Sequence, residues 1–554
     1  MRVKPEICYD KGKEVITLNW LNEYPRPQMR RNSFFCLNGE WTLDEQKVQV
    51  PYPPQSKLSG FEGDVKDMLT YVKLFKLPEG FLPEGWRLML HFGAVDQIAD
   101  VFFNGRPVIH HEGGYLPFSA DVTPCVKPGE NELVVAVLDA LDHDYPYGKQ
   151  RKKRGGMWYT PVSGIWQTVW MEAVPEKRVE SISITPDLTG VTLNVDSAYD
   201  TVEVDIPGVL HRCIPANEDV RLEVKQPHWW TVEDPYLYSL TMTAGEDRVE
   251  SYFALRTVEM KDNRILLNGE QVFLNGVLDQ GYFADGIYLP EDPAEYERDV
   301  QRMKSLGFNM LRKHIKLEPE AFYYACDRLG MLVLQDMVNS GPYSFLLDTA
   351  LPTIGISKLD DTKSRGDKAR KEFFQKHMLE TQEHLYNHPC VISYTIFNEG
   401  WGQFDSDRMY RLAKEKDPTR IYDSTSGWFH QKENDFYSIH TYFGDCVIPE
   451  QQRPVFISEF GGYTYGIPAH SYAKYASYGY GGCSSSEELT ERIVARYQDL
   501  ILGNMDKGIC GSIYTQLSDV EDEVNGFYTY DRKVCKVDKN KMAALAEQLK
   551  HSVV

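Results

Sequence analysis

Two glutamates stand directly after apolar runs in this sequence. "VISYTIF" (391–397) is followed by Asn398 and Glu399, and "PVFIS" (454–458) by Glu459. An ionised carboxylate leaves water only at a heavy cost unless it finds a partner. Each glutamate is therefore either neutralised as a structural strand cap or stands at a strand mouth where chemistry happens. A facing pair of carboxylates suits glycoside hydrolysis. One, kept protonated, donates to the leaving oxygen, while the other stays ionised and attacks the anomeric carbon or activates a water. Carboxyls about 5–5.5 Å apart give retention of configuration, and wider spacing leaves room for the water that gives inversion.

The elements that would position them come in two styles. Residues 33–175 read as short strands broken by turns such as "FNGRP" and "KPGEN", which predicts a jelly-roll β-sandwich. Residues 176–256 alternate by twos and predict a small immunoglobulin-like sandwich. After residue 257 the period changes, and apolar strands alternate with helices. Strand candidates begin near residues 271, 308, 331, 391, 420, 436, 454 and 510, with little room for helices after the fifth and sixth. Eight βα units in about 300 residues match a (β/α)₈ barrel, whose strand ends converge on one catalytic mouth. The predicted organisation is thus a jelly roll (1–175), an immunoglobulin-like domain (176–256) and a catalytic TIM barrel (257–554). The long segment 340–367, after the third strand, reads as a lid or substrate wall.

Composition narrows the partners. A net charge of −21 argues against nucleic acid. The one basic run, "GKQRKKRGG" (148–156), reads as a solvated loop, and His110–His111 as a solvated turn. Ten scattered cysteines without C-x-x-C spacing suit a reducing compartment and neither zinc nor a disulfide framework. The charged N-terminus has no apolar signal core and no stretch is long enough to span a bilayer, so the expectation is a cytoplasmic protein without membrane contact.

The segments "NHPCVISYTIFNEGWGQFD" and "RPVFISEFGG" resemble the two catalytic segments of glycoside hydrolase family 2, the β-galactosidase, β-glucuronidase and β-mannosidase family. "SGIWQTVWMEAV" resembles the end of its jelly roll, "DPYLYSL" its immunoglobulin-like domain, and "LLNGEQVFLNGVLDQG" the start of its barrel. The resemblance implies Glu399 as acid/base, Asn398 on the sugar 2-hydroxyl, and Glu459 as nucleophile. It also implies Arg312 and Tyr442 as the nucleophile's supports, and no cofactor or metal for the reaction itself.

Several positions depart from the family pattern. Tyr394 and Thr395 replace the usual Trp-Gly pair, Asp279 stands near an expected histidine, His314 lies closer to the arginine than usual, and Gln516 ends the eighth strand where a tryptophan is common. Asp279, His314 and Gln516 are carried as sugar contacts, and Trp401, Trp428 and His440 as walls of the sugar site. The glucuronidase Asn-x-Lys motif is incomplete, because Asn525 has no lysine two residues on, although "KQRKKR" or Lys313 offers a cation from elsewhere. The expected activity is an exo-acting retaining β-glycosidase, galactoside-directed by family default, with a β-glucuronidase, β-mannosidase or α-L-arabinosidase as alternatives. The substrate would be a carbohydrate or glycoconjugate, and a homo-oligomer face is open to the two β domains. A binding protein that lost catalysis is the alternative from another class, disfavoured because a pure binder needs no such carboxylate pair. An amidase or esterase ranks last, since neither G-x-S-x-G nor H-E-x-x-H occurs.

Overall fold

A computed structural model of the 554-residue chain describes residues 19–552 except 354–355, 357–359, 364–366, 443, 445 and 474–476. The chain begins with a β-sandwich in which a six-stranded and a four-stranded antiparallel sheet share one core. Val48, Tyr71, Val101 and Val135 from one sheet meet Leu88, Leu90, Phe92 and Met171 from the other, all buried. Strand Glu130–Leu138 shows why: buried Asn131, Leu133, Val135 and Val137 alternate with more exposed residues, the period of a strand with one dry face. The turn before strand Arg106–Glu112 has Asn104 and Gly105 at φ 50° and 77°, the left-handed pair a tight hairpin demands. His110 and His111 lie on that strand and not in a turn, with His111 stacked on Phe118 at 4.0 Å. A second, smaller sandwich packs a three-stranded sheet against the four strands Leu210–Pro215, Thr201–Ile206, Tyr238–Ala244 and Asp247–Phe253.

The barrel strands are β1 (Leu274–Asp279), β2 (Met310–Lys313), β3 (Leu332–Asp336), β4 (Val391–Asn398), β5 (Ile421–Ser426), β6 (Tyr437–Thr441), β7 (Val455–Gly461) and β8 (Ile509–Thr515). They form one parallel sheet in the order β5-β4-β3-β2-β1-β8-β7-β6, nearly closed on itself. Apart from β6, every residue in them is buried, as expected for strands covered on both faces. The first strand starts later than the sequence suggests, because Glu270–Gln271 is spent on a hairpin with Arg264–Leu267. Helices α1 (Ala294–Ser305), α2 (Glu320–Leu329), α3 (Lys368–Leu385), α4 (Ser406–Lys416), α5 (Ser486–Arg496) and α6 (Lys539–His551) cover the outside. Among the described residues no helix follows β5 or β6, where the connections are short. Ser485 caps α5 by accepting from the Glu488 N–H at 3.1 Å, while the Glu488 carboxylate closes back on Ser484. Of the segment 340–367, Phe345–Ala350 forms a π-helical turn with Phe345, Leu346 and Leu347 exposed, and part of the remainder lies outside the described residues. No helix described is long and apolar enough to cross a membrane.

The basic loop departs from its sequence reading. Arg151, Lys152 and Lys153 are exposed, but the residues around them dock the first sandwich onto the barrel. Gln150 is fully buried and donates to Asp96 and the Tyr115 hydroxyl at 3.0 and 3.1 Å. Arg154 pairs with Asp522 at 3.1 Å, and the Thr160 N–H donates to Glu521 at 3.0 Å, both on the loop after β8. Trp158 packs edge-on against Trp401 at 5.1 Å. Charge alone suggested solvation; the interleaved glutamine and aromatics decide otherwise.

Gly148 is the hinge of this docking. Its φ is 66°, and a Cβ there would lie 2.9 Å from both the Ile315 carbonyl and the Tyr115 hydroxyl. Gly148→Ala therefore combines left-handed strain with a clash against backbone, for a loss of about 1–3 kcal/mol in unfolding free energy. Chemical denaturation of the variant should show a lowered midpoint at unchanged m-value; an unchanged midpoint would mean the loop does not hold this conformation.

Candidate active site

Successive residues of a strand point to opposite faces, so Asn398 and Glu399 could not both enter the barrel mouth if β4 simply continued. It does not: Glu399 has φ 54°, and its N–H donates to the Ser426 carbonyl at 3.0 Å. The left-handed turn swings the glutamate back over the mouth beside its neighbour. Gly400 follows at φ 74°, where a Cβ would strike the Phe429 ring at 2.2 Å.

Arg312, fully buried at the end of β2, organises the floor. Its Nε donates to Asp336 Oδ1 at 3.0 Å, Nη2 to Asn398 Oδ1 at 2.8 Å, and Nη1 to the Ser458 carbonyl and Glu459 Oε1 at 2.9 and 3.1 Å. Four strand ends thus meet on one guanidinium. Asp336 also binds His314 Nδ1 at 2.7 Å. Sequence reasoning passed over Asp336, although "MLVLQD" ends in a carboxylate just as the strands of Glu399 and Glu459 do.

Glu459 accepts a second hydrogen bond, from the Tyr442 hydroxyl, and Tyr442 is stacked on Tyr480 at 4.1 Å. His440, paired with Glu459 in the β6–β7 register, stands between the two glutamates. Its Nδ1 is 2.8 Å from Glu399 Oε1, and its Nε2 is 3.1 Å from Ser426 Oγ and 3.8 Å from Glu459 Oε1. Atoms of Glu399, His440 and Glu459 lie within 4.8 Å of one another, close enough for a cation. Arg312 and Tyr442 already satisfy Glu459, so the cluster is complete as a pair of carboxylates with a histidine between them.

The remaining candidates divide. Trp428 donates from its indole to the Glu399 carbonyl at 3.2 Å and sets its ring edge-on to His440. Trp401 instead braces the docked loop: its indole donates to the Gly341 carbonyl at 2.9 Å and its ring packs on Tyr147 and Trp158. Asp279 has both oxygens engaged, one by the Gly281 N–H at 2.9 Å and one by Lys313 Nζ at 2.6 Å. Lys313 also binds Glu318 at 2.8 Å and is wholly buried, so it is no spare cation for a substrate. Gln516, at the end of β8, donates to Glu523 and to Asn525 Oδ1 at 2.5 and 2.7 Å.

Burial works against ionised Glu459, but His440 and the Arg312 guanidinium more than offset it and hold the carboxyl at about 2. Burial, with Lys149 and Arg312 nearby, keeps His314 neutral by pushing it well below the usual histidine range. A carboxyl lowered on folding stabilises the protein above its unfolded value, near about 4.3, and that stabilisation is lost as pH falls through the folded value. The wild type should therefore lose stability between about pH 4.3 and 2 more steeply than Glu459→Gln. Urea midpoints across that range check this; parallel pH profiles for the two would contradict it.

Comparison with known proteins gives these residues a setting. Residues 37–175 match the sequence model of the sugar binding domain of glycosyl hydrolases family 2, residues 178–256 match a second model of that family, and residues 258–551 match its TIM barrel domain. A β-galactosidase of Aeromonas hydrophila is 28% identical over 389 residues, 63% of this chain and 35% of that protein. A β-galactosidase of Thermoanaerobacter pseudethanolicus is 24% identical, covering 74% of this chain and 56% of that protein. A putative β-glucuronidase of Formosa agariphila is 24% identical, over 60% and 41% of the two chains. This chain thus spans between about a third and just over half the length of these relatives. Among solved structures, the β-D-glucuronidase of Dictyoglomus thermophilum superposes with a TM-score of 0.74 at 20% identity, over 95% of this chain and 98% of that one. The β-glucuronidase of Ruminococcus gnavus superposes with a TM-score of 0.73 at 19% identity, over 96% and 99%. With its barrel, both sandwiches and their order all matched, the chain belongs to glycosyl hydrolase family 2.

Proposed function

We propose that this protein is an exo-acting retaining β-glycosidase, with Glu399 as acid/base and Glu459 as nucleophile. The observation that carries the reading is the pair itself: two carboxylates within 4.8 Å at one barrel mouth, one of them held ionised by a buried arginine. That close approach suits direct attack on the sugar better than a pair separated by a water. In the first step Glu459 bonds to the anomeric carbon as Glu399 protonates the glycosidic oxygen and the aglycone leaves. In the second, Glu399 takes a proton from water, the hydroxide attacks the same carbon, and Glu459 departs as a carboxylate. Asn398, its oxygen fixed by Arg312, keeps its amide N–H₂ for the sugar 2-hydroxyl. The loop 148–160 docks beside the barrel, against Ile315 and Trp401, and that favours a terminal sugar over a mid-chain one. The β-galactosidases among the relatives make a β-galactoside the first substrate to try.

The test is hydrolysis of p-nitrophenyl β-galactoside, β-glucuronide, β-glucoside, β-mannoside and α-L-arabinoside. Glu459→Gln should lose roughly 10⁶-fold in kcat, the scale on which removal of a nucleophile acts in a hydrolase. Glu399→Gln should lose about 10²–10⁴-fold, with much of the loss spared on leaving groups that need no proton. If the wild type cleaves none of the panel, or Glu459→Gln cleaves as well as the wild type, the reading fails. Tyr442→Phe removes a hydrogen bond to an ionised group, about 1.5–3 kcal/mol and so roughly tenfold to a hundredfold in kcat. A Tyr442→Phe enzyme with wild-type kcat would remove the tyrosine from the nucleophile's support.

A further inference from the structure

Beside the nucleophile lies a second polar cluster that the two-carboxylate mechanism does not use. Glu523, on the loop after β8, is only 4% exposed. It accepts from Gln516 Nε2, and Tyr159 of the first sandwich turns its hydroxyl toward it. Lys149 comes from the same sandwich. Its carbonyl accepts from the Tyr159 N–H at 2.9 Å, and the preceding Gly148 is seated against Ile315, the residue after His314. The half-buried Lys149 ammonium makes no ion pair or hydrogen bond among the described residues. The Lys149 backbone is held between Gly148, seated against Ile315, and the buried Gln150, and its charge bears on Glu459, His314 and Glu523 alike.

The same cluster contains three deeply buried polar atoms with no hydrogen-bond partner in the protein: His314 Nε2, Gln516 Oε1 and Asn525 Nδ2. Their residues are 2%, 0% and 2% exposed. Native proteins rarely leave such atoms unpaired, so an ordered water or a ligand hydroxyl pairs them. Because the neutral His314 gives its Nδ1 proton to Asp336, its Nε2 is an acceptor. The array thus mixes acceptors (His314 Nε2, Gln516 Oε1) with donors (Asn525 Nδ2, Lys149 Nζ), and burial raises the Glu523 carboxyl to about 7, so that it can serve as either. Sugar hydroxyls both donate and accept and can serve every member. A uronate carboxylate only accepts, and would leave His314 Nε2 and Gln516 Oε1 without a donor.

On this basis we propose that Glu523 and Lys149 are the specificity-determining pair of the sugar site, reading hydroxyl groups of a neutral glycone and discriminating against a uronic acid. This rests on the glycosidase reading above and adds the substrate class to it. It assigns a binding role to the loop of the first sandwich: that loop delivers, among the described residues, a cation not consumed by Asp336, Asp279 or Glu318. Glycone identity would then be set by two residues 374 positions apart in sequence, both outside the catalytic strands.

The experiment is kcat/KM of the full chain on the same glycoside panel for the wild type, Glu523→Gln, Lys149→Met and Lys149→Arg, with thermal melting as the control for folding. The wild type should favour one neutral β-glycoside over the β-glucuronide. Glu523→Gln and Lys149→Met should each lower kcat/KM on that sugar about tenfold to a hundredfold, the range for one hydrogen bond to a charged group, and narrow its ratio to the glucuronide. Lys149→Arg should recover part of the loss, which a purely structural lysine would not require. A wild type that prefers the glucuronide, losing it in Lys149→Met, would make Lys149 a uronate anchor and overturn the proposal. Active variants with an unmoved glycone ratio would overturn it while leaving the glycosidase reading intact. A wild type inert on the whole panel would remove that reading and this inference with it.

Discussion

The buried Arg312 guanidinium is the constraint on which the rest of the site depends. A cation with no exposure to water is tolerable only when every face is paired. Here the pairing is distributed over three strands: Asp336 of β3, Asn398 of β4, and Ser458 and Glu459 of β7 converge on an arginine of β2. The fork of the guanidinium fixes these groups in direction as well as distance, which a lysine's point charge would not do. The same contacts that neutralise the arginine therefore keep Glu459 ionised and aim the amide of Asn398. Stability and chemistry share one set of hydrogen bonds.

That economy leaves Glu399 free. Arg312 does not touch it; its carboxyl is oriented by His440, and its backbone by a left-handed turn that few non-glycine residues adopt. Such strain persists only where the surroundings over-determine it. Here they are the Ser426 carbonyl, the Trp428 indole on the Glu399 carbonyl, and the Phe429 ring that excludes any side chain at Gly400. The two glutamates thus sit in different environments by construction. Glu459 lies in a buried, cation-rich corner, while Glu399 is the more exposed of the pair and has no permanent cation as its partner.

Much of this was legible in the residues. The change from period two to alternating strands and helices located all eight barrel strands, because strands covered on both faces must be apolar throughout. Glu399, Glu459 and Arg312 announce themselves as charges at the ends of such runs. Asp336 carries the same signal and was missed only because its run is short. Asp279 and Trp401 show the limit of that signal. Strand-end and loop positions show that a side chain is near the mouth, but not that Lys313 or the docked sandwich loop has already engaged it. Lys149 and Glu523 are harder still. Where they lie depends on packing between a loop of the first domain and a loop of the last, and no local period encodes that.

The sandwich loop also shows why charge patterning misleads when read alone. "GKQRKKRGG" contains five cations, and of Arg151, Lys152, Lys153 and Arg154 three are indeed exposed. What docks the segment is the residue types between and after them: Gly148 for close approach, Gln150 for a buried hydrogen-bond set, Trp158 for an aromatic contact with Trp401. Lys149 lies between the first two, so its backbone is held in place even though its side chain has no partner among the described residues. A flexible lysine on a free loop would sample many positions and recognise little. A lysine whose two neighbours are both pinned gives up less conformational entropy when a ligand arrives, and that separates a recognition residue from a solvated charge.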